Sequence, residues 1–405
     1  MRRPRVTSFV PALAILVLGA LAVNAVQAAV VLASVARGEI LTDWTAFYAA
    51  AHLVWDGAGR SLYDASAQEA MQRALFGPSG EPFAFTQPAF VAVAMAPLGV
   101  LSFRASYWVW MAVNIAVGGP SLAALWRAFA GVSARRRAAT LALAATSTPA
   151  LAVILNGQLE FFALAGLVGC YAMVRRGHPF AAGAALTLAL AKPQLATGAA
   201  LLLLVARQWR PLVSFAALGL PLLIVPAVTL GPGTLADQTA LLFSFARSSE
   251  DLRVHAEMMA NIRGAVVSLT GSGSALLWGP PFLIVASTAF VVSVRTWSKA
   301  STSPEQAWAL AFLVPLLVSP HLHVQSLTLL AGFAALYARA ADAAGRPLRW
   351  EWLLGGFAGA TALWAMTMAG FAALVALSMA AFTVAARRWP EPATAAAGRE
   401  LARAA

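Results

Sequence analysis

Apolar runs of roughly membrane-crossing length recur along this chain from end to end, separated by short basic clusters. That pattern constrains the fold more than any motif does. A run of about 20 apolar residues matches the hydrocarbon thickness of a bilayer. Inside it the backbone must satisfy its own hydrogen bonds, which helices do. Composition supports the reading: 60% of the 405 residues are hydrophobic and 11% are charged, whereas a soluble domain carries about 25% charged residues. The chain has too little charged surface to cover a water-soluble body of its size. The expected fold class is all-α integral membrane, a polytopic helical bundle counted as one unit over residues 1–386. A short cytoplasmic tail, 387–405, is Ala-, Pro- and charge-rich and expected to be disordered.

The net charge of +12 invites a nucleic-acid reading, but its distribution does not fit one. The basic residues fall between apolar runs: Arg2, Arg3 and Arg5; Arg135, Arg136 and Arg137; Arg175 and Arg176; Arg207 and Arg210; Arg295 and Lys299; Arg346 and Arg349; Arg387 and Arg388. This is the signature of cytoplasmic loops under the positive-inside rule. The apolar run after Met1 is longer than a signal peptide's h-region of ~7–15 residues, so it reads as a retained first span. Threading outward from there gives about twelve crossings with both termini inside. Residues 37–87 and 231–263 form long outer segments, 88–103 is a half-inserted piece interrupted by Pro97, and 180–206 is a hairpin of two short helices around Lys192-Pro193. A threading that makes 88–103 and 180–206 full crossings places Arg135–Arg137 and Arg175–Arg176 outside, against the charge rule. No internal repeat is visible, which weakens a transporter reading.

Under this topology the scarce polar residues collect on the outer side. Asp43 opens the first outer segment, ahead of Trp44, Phe47 and Tyr48. Asn156-Gly157-Gln158 sits at an outward turn, Lys192 tops the hairpin, the second outer segment carries Arg247, Arg253, His255, Asn261 and Arg263, and Ser319-Pro320-His321-Leu322-His323 forms a further outer turn. Ionisable residues at membrane depth are expensive and default to functional hypotheses. Each has a plainer reading beside it. Asp43 is a favoured helix N-cap, Asn156-Gly157 is a turn signal, Lys192 can snorkel from a helix end, and the aromatic residues fit an interfacial belt. His321 and His323 are two apart and lack the i, i+4 spacing of helical zinc sites. Asp56, Asp64, Glu250 and Asp251 offer no spacing that compels a metal, so no cofactor is expected. The single cysteine, Cys170, reads as an apolar packing residue.

One carboxylate among cations and hydrogen-bonding groups at a membrane face suits a definite reaction. Asp43 takes a proton from an acceptor hydroxyl that attacks the anomeric carbon of a lipid-linked phosphosugar, while Lys192, the histidines or an arginine meet the phosphate. General-base assistance is worth typically ~10²–10⁴-fold. Phosphate leaves with little acid help, so the second carboxylate of a hydrolytic glycosidase is unnecessary.

At these residues the sequence resembles glycosyltransferase family 87, a GT-C-type group. The carriers are Asp43 to Tyr48 with Leu62-Tyr63-Asp64, Phe85-Thr86-Gln87-Pro88, Pro97-Leu98, Gly157-Gln158, Ala191-Lys192-Pro193, Asn261 with Gly264, and Ser319 to His323. The resemblance implies a multi-pass protein of the bacterial cytoplasmic membrane with its active face outside. It implies a polyprenyl-phosphate sugar donor, mannose first and arabinofuranose as an alternative, with a lipid or glycan acceptor and inverting transfer. It also implies Asp43 as the catalytic base; Lys192, His321, His323, Gln158, Arg263, Asn261 and Tyr48 are the candidates to meet the donor phosphate or substrate. Thr86-Gln87-Pro88 departs from the family's usual Tyr-Pro-Pro, and no acidic residue follows His323. Other classes make different demands: a transporter or flippase lines a path through the bilayer with charge, a scaffold has no need of Asp43, and a phosphotransferase works on lipid head groups.

Overall fold

The computed structural model describes residues 9–37, 39, 43–77, 82–128, 145, 147–247, 256–298, 304–344, 370–387 and 389. Among them the chain is helical, with a single isolated bridge, Met259 to His323, in place of any strand. The helices in chain order are α1 (Phe9–Arg37), α2 (Trp44–Trp55), α3 (Ala65–Phe76), α4 (Ala89–Met95), α5 (Phe103–Ala128), α6 (Thr148–Leu155), α7 (Glu160–Arg175), α8 (Pro179–Thr187), α9 (Pro193–Val205), α10 (Trp209–Leu230), α11 (Thr234–Arg247), α12 (Ile262–Thr270), α13 (Ala275–Trp297), α14 (Pro304–Val318), α15 (Leu329–Ala343) and α16 (Gly370–Arg387).

Among the described residues, five stretches are long and apolar enough to cross a membrane: Val17–Arg37, Phe103–Leu125, Trp209–Leu230, Ala275–Trp297 and Val324–Ala341. Helices α6 and α7, bent by 120° across residues 156–159, make a sixth when counted as one broken span. The expected twelve crossings are therefore met only in the coarser sense of a polytopic helical membrane protein. Several expected crossings are shorter apolar helices, among them Pro179–Ala191, Pro193–Val205 and Pro304–Val318, and the piece expected to be half-inserted is the short helix Ala89–Val100. The crossing expected over Trp352–Met368, and the Arg135–Arg137 cluster, lie outside the described residues.

Helices α10 and α13 turn most of their apolar surface outward: Val228 is 78% exposed and Leu276 85%. On a soluble protein such faces would aggregate; on a membrane protein they are lipid-facing surface. Prolines interrupt α5, α10, α13 and α14 at Pro120, Pro221, Pro226, Pro280, Pro281 and Pro315. Membrane helices tolerate such breaks when neighbours re-satisfy the freed backbone.

Among the described residues two large apolar cores hold the bundle, beside a small cluster of Ala256, Met259 and Val267. The larger joins α6, α7, α8, α9, α14 and α15, with Leu164, Leu167, Phe312 and Leu313 buried in it. The smaller joins α2, α4 and the start of α5 around Trp44, Phe47, Phe85 and Tyr107. Leu159 and Ala191 belong to this second core and immediately adjoin Glu160 and Lys192, so the polar residues sit where the cores meet. Cys170 is buried in the larger core. Beyond α16, Trp389 packs edge-on against Tyr337, ring centres 5.7 Å apart, so the tail expected to be disordered begins with an anchored residue.

Candidate active site

Asp43 occupies the N-cap position of α2 with φ −58° and ψ −16°, yet its side chain makes no capping hydrogen bond. It faces Gln158 instead, whose Nε2 donates to Asp43 Oδ2 at 2.6 Å. Burial pushes the Asp43 carboxyl above its ordinary value; the Gln158 hydrogen bond and the Lys192 charge pull it back, and Glu160 adds to the rise.

The turn that presents Gln158 is clamped from α5 and α2. Trp110 Nε1 donates to the Gly157 carbonyl at 2.7 Å and the Tyr107 hydroxyl to the Leu155 carbonyl at 3.0 Å. Trp44 is fully buried, stacks on Trp110 at 5.6 Å and donates from Nε1 to Ser106 Oγ at 3.3 Å. Gly157 has φ +68°, and a Cβ there would come within 2.8 Å of Trp44 Cε3. Glycine is therefore needed for both backbone and space. The same indole that follows Asp43 thus packs on the glycine that precedes Gln158.

Two residues after Gln158, Glu160 is completely buried in the first turn of α7. Its Oε1 lies 2.8 Å from Lys192 Nζ and accepts from Ser326 Oγ at 3.3 Å. Its Oε2 is buried without a hydrogen-bond partner among the described residues, as is Gln158 Oε1. Lys192 is 7% exposed and caps α9 with φ −134° and ψ 80°. Pro193 disfavours helical backbone in the residue before it, and this is what breaks the hairpin at Lys192. Sequence reasoning singled out Lys192 and passed over Glu160. The available signal was an acidic residue at the mouth of an apolar run, expensive there unless paired.

Residues 319–323 supply the third component. His321 and His323 meet edge to face, ring centres 4.9 Å apart. The loop is stitched to the segment before α12: Ala260 N donates to the Leu322 carbonyl at 2.7 Å and Asn261 Nδ2 to the Ser319 carbonyl at 3.0 Å. Asn261 Oδ1 also accepts from Gly264 N at 3.0 Å, capping α12. Arg263 is 2% exposed, its guanidinium 5.2 Å above the Trp278 ring. Burial, then His323, Lys192 and Arg263, holds His321 well below the ordinary imidazole value, so it is neutral near pH 7. Lys192 thus acts on both Asp43 and His321 and links the two halves of the site.

Not every expected residue converges here. The Tyr48 hydroxyl donates to the Leu101 carbonyl at 2.7 Å and its ring packs on His52, Phe76 and Phe103. Asp64 caps α3 through Ala67 N, and Tyr63 donates to the Gln87 carbonyl at 2.7 Å. Gln68 and Gln72 pair with the backbones of Phe85 and Phe83, so α3 is tied to the chain that leads into α4. Arg253, His255, Glu250 and Asp251 lie outside the described residues, as does the Arg247 side chain. Among the described residues no group of three or more His, Cys, Asp or Glu side chains is placed to hold a metal ion.

The profile of glycosyltransferase family 87 matches residues 85–320, more than half of the chain. No curated protein and no solved structure matches significantly. The fold and the match together define the class: a multi-pass membrane glycosyltransferase. More particularly, the chain belongs to glycosyltransferase family 87. The matched region contains Gln158, Glu160, Lys192, Asn261 and Arg263; Asp43, His321 and His323 lie beyond its ends.

Proposed function

We propose that this glycosyltransferase moves a sugar, mannose first among the candidates, from a polyprenyl-phosphate donor to a lipid or glycan hydroxyl on the outer face of the membrane, in a GT-C-type arrangement with about twelve crossings. Asp43 is the base. The observation that carries the reading is that Asp43 forgoes its cap and turns a half-buried carboxyl, proton affinity raised, toward Gln158, with the Lys192 charge acting on it.

In the transfer, Asp43 accepts the proton of the acceptor hydroxyl as its oxygen bonds to the anomeric carbon. The bond from that carbon to the phosphate oxygen breaks, and polyprenyl phosphate departs with the electron pair. Attack opposite the leaving group inverts the anomeric centre. Gln158 holds the carboxylate in place, and Lys192 and Arg263 favour charge growing on the phosphate, the electrostatic contribution that is usually largest. His321, neutral at pH 7, donates a hydrogen bond without adding charge. The gathering of polar groups at one seam favours this reading over a transporter, which needs charge along a path through the bilayer.

Purified protein in lipid nanodiscs, given radiolabelled polyprenyl-phosphate mannose and candidate acceptors, should release label into a product of inverted anomeric configuration. Retained configuration would refute single displacement, and no transfer from any polyprenyl-phosphate sugar would refute the donor class.

A further inference from the structure

Among the described residues the site holds two carboxylates, Asp43 and Glu160, and only Asp43 is used by the transfer above. Glu160 has no exposed surface, and its ligands among the described residues are Lys192 Nζ at 2.8 Å and Ser326 Oγ at 3.3 Å. Burying a carboxylate and an ammonium costs several kcal/mol per ion before their attraction is counted. Such a pair is weak evidence of a stabilising device.

We propose that Glu160 is a positioning residue for the reaction: by holding the Lys192 ammonium, it keeps that cation from closing onto Asp43 and leaves the base held by Gln158 alone. Two distances carry this. Gln158 Nε2 lies 2.6 Å from Asp43 Oδ2, and Lys192 Nζ lies 2.8 Å from Glu160 Oε1. Lys192 still acts on Asp43 through space. An ammonium in direct contact would favour the ionised carboxylate and make it a poorer proton acceptor. Gln158 gives Asp43 a neutral donor instead.

The charged and titratable groups around the pair enter from several elements. Asp43 feels Gln158 from the α6–α7 turn, Lys192 from the α8–α9 break and Glu160 from α7. Lys192 also acts on His321, which His323 and Arg263 flank. Glu160 and Gln158 leave the same turn two residues apart, so one backbone segment sets both the base's partner and the cation's.

The inference rests on Asp43 being the base, and the test keeps the two ideas separable. Wild type, Asp43→Asn, Glu160→Gln, Glu160→Asp and the double variant Glu160→Gln with Lys192→Met are compared in nanodiscs, with kcat and donor KM measured across pH. Glu160→Gln frees Lys192 toward Asp43. It should lower kcat at least tenfold and move the acid limb of the kcat profile to lower pH. Glu160→Asp keeps the charge and should restore most of kcat with the limb in place. The double variant removes both charges; its limb should return to the wild-type position while donor KM rises. If Glu160→Gln yields too little folded protein, the limbs of the double variant and Glu160→Asp carry the comparison, and a displaced limb in both overturns the proposal. A limb unmoved in Glu160→Gln, with kcat falling only in step with folded protein, shows a merely structural role and also overturns it, while leaving Asp43 as base intact if Asp43→Asn is inactive. Turnover by Asp43→Asn overturns both.

Discussion

Asp43 stands where a capping carboxylate would stand and does not cap. A residue type favoured at N-caps has given up that bond for a partner 115 positions away, and the sequence offers no way to distinguish the two uses. Its raised proton affinity fixes the sign of a pH effect. A base works only when ionised, so turnover should be full above the raised value and fall as pH drops through it, giving an acid limb above the ordinary 3.8. A kcat profile over pH 4 to 8 in nanodiscs measures this. His321 gives the complementary signature. Its folded value is depressed, so the stability linked to its neutral form is present above about pH 6.5 and lost as pH falls toward the folded value. The fall in melting temperature between pH 7.5 and 5.5 should be smaller in His321→Gln than in wild type. Gly157→Ala combines a left-handed backbone, costing on the order of 1–3 kcal/mol, with a methyl group 2.8 Å from the Trp44 ring. The expected result is a clear drop in melting temperature together with loss of activity, because Gln158 is the next residue.

At the scale of elements, the sequence was informative where proline, glycine and charge punctuate the apolar runs. Pro193 marks the break at Lys192, and Asn156-Gly157 marks the turn between α6 and α7; both are present where their local chemistry requires. Spans were harder. A run of apolar residues looks alike whether it crosses the bilayer or forms half a hairpin, so 88–103 and 180–206 were separable only through the charge rule. The structure makes these short helices: α4 with its 3-10 extension, and α8 and α9 meeting at Lys192. The same rule yields a test at this scale. Reporter fusions after Arg137 and after Arg176 should both report the cytoplasm; an outer location for either contradicts the orientation that places Asp43, Lys192 and His321 on the outer face.

For the whole molecule, composition alone separated a membrane bundle from a soluble protein, because 11% charged residues cannot cover a body of this size. What composition and motif order left hidden is how the site is joined. Gln158, Lys192 and the two histidines were visible as polar residues in apolar surroundings. Glu160 was passed over as one acidic residue opening a span, and its meaning appears only when α7 and the α8–α9 break pack side by side. Tyr48 was expected at the substrate, and its hydroxyl donates to the Leu101 carbonyl; the sequence carries no mark of that backbone partner. The seam between the two cores is a product of packing, and it brings residues 43, 158, 160, 192 and 321 into one electrostatic neighbourhood. The central claim is that Asp43 is the base of that neighbourhood, and the direct measurement is single-turnover transfer from a polyprenyl-phosphate sugar by wild type and Asp43→Asn in nanodiscs, with donor binding measured alongside. The prediction is donor binding within a few-fold of wild type and a transfer rate lower by about 10²–10⁴-fold; transfer at the wild-type rate would contradict it.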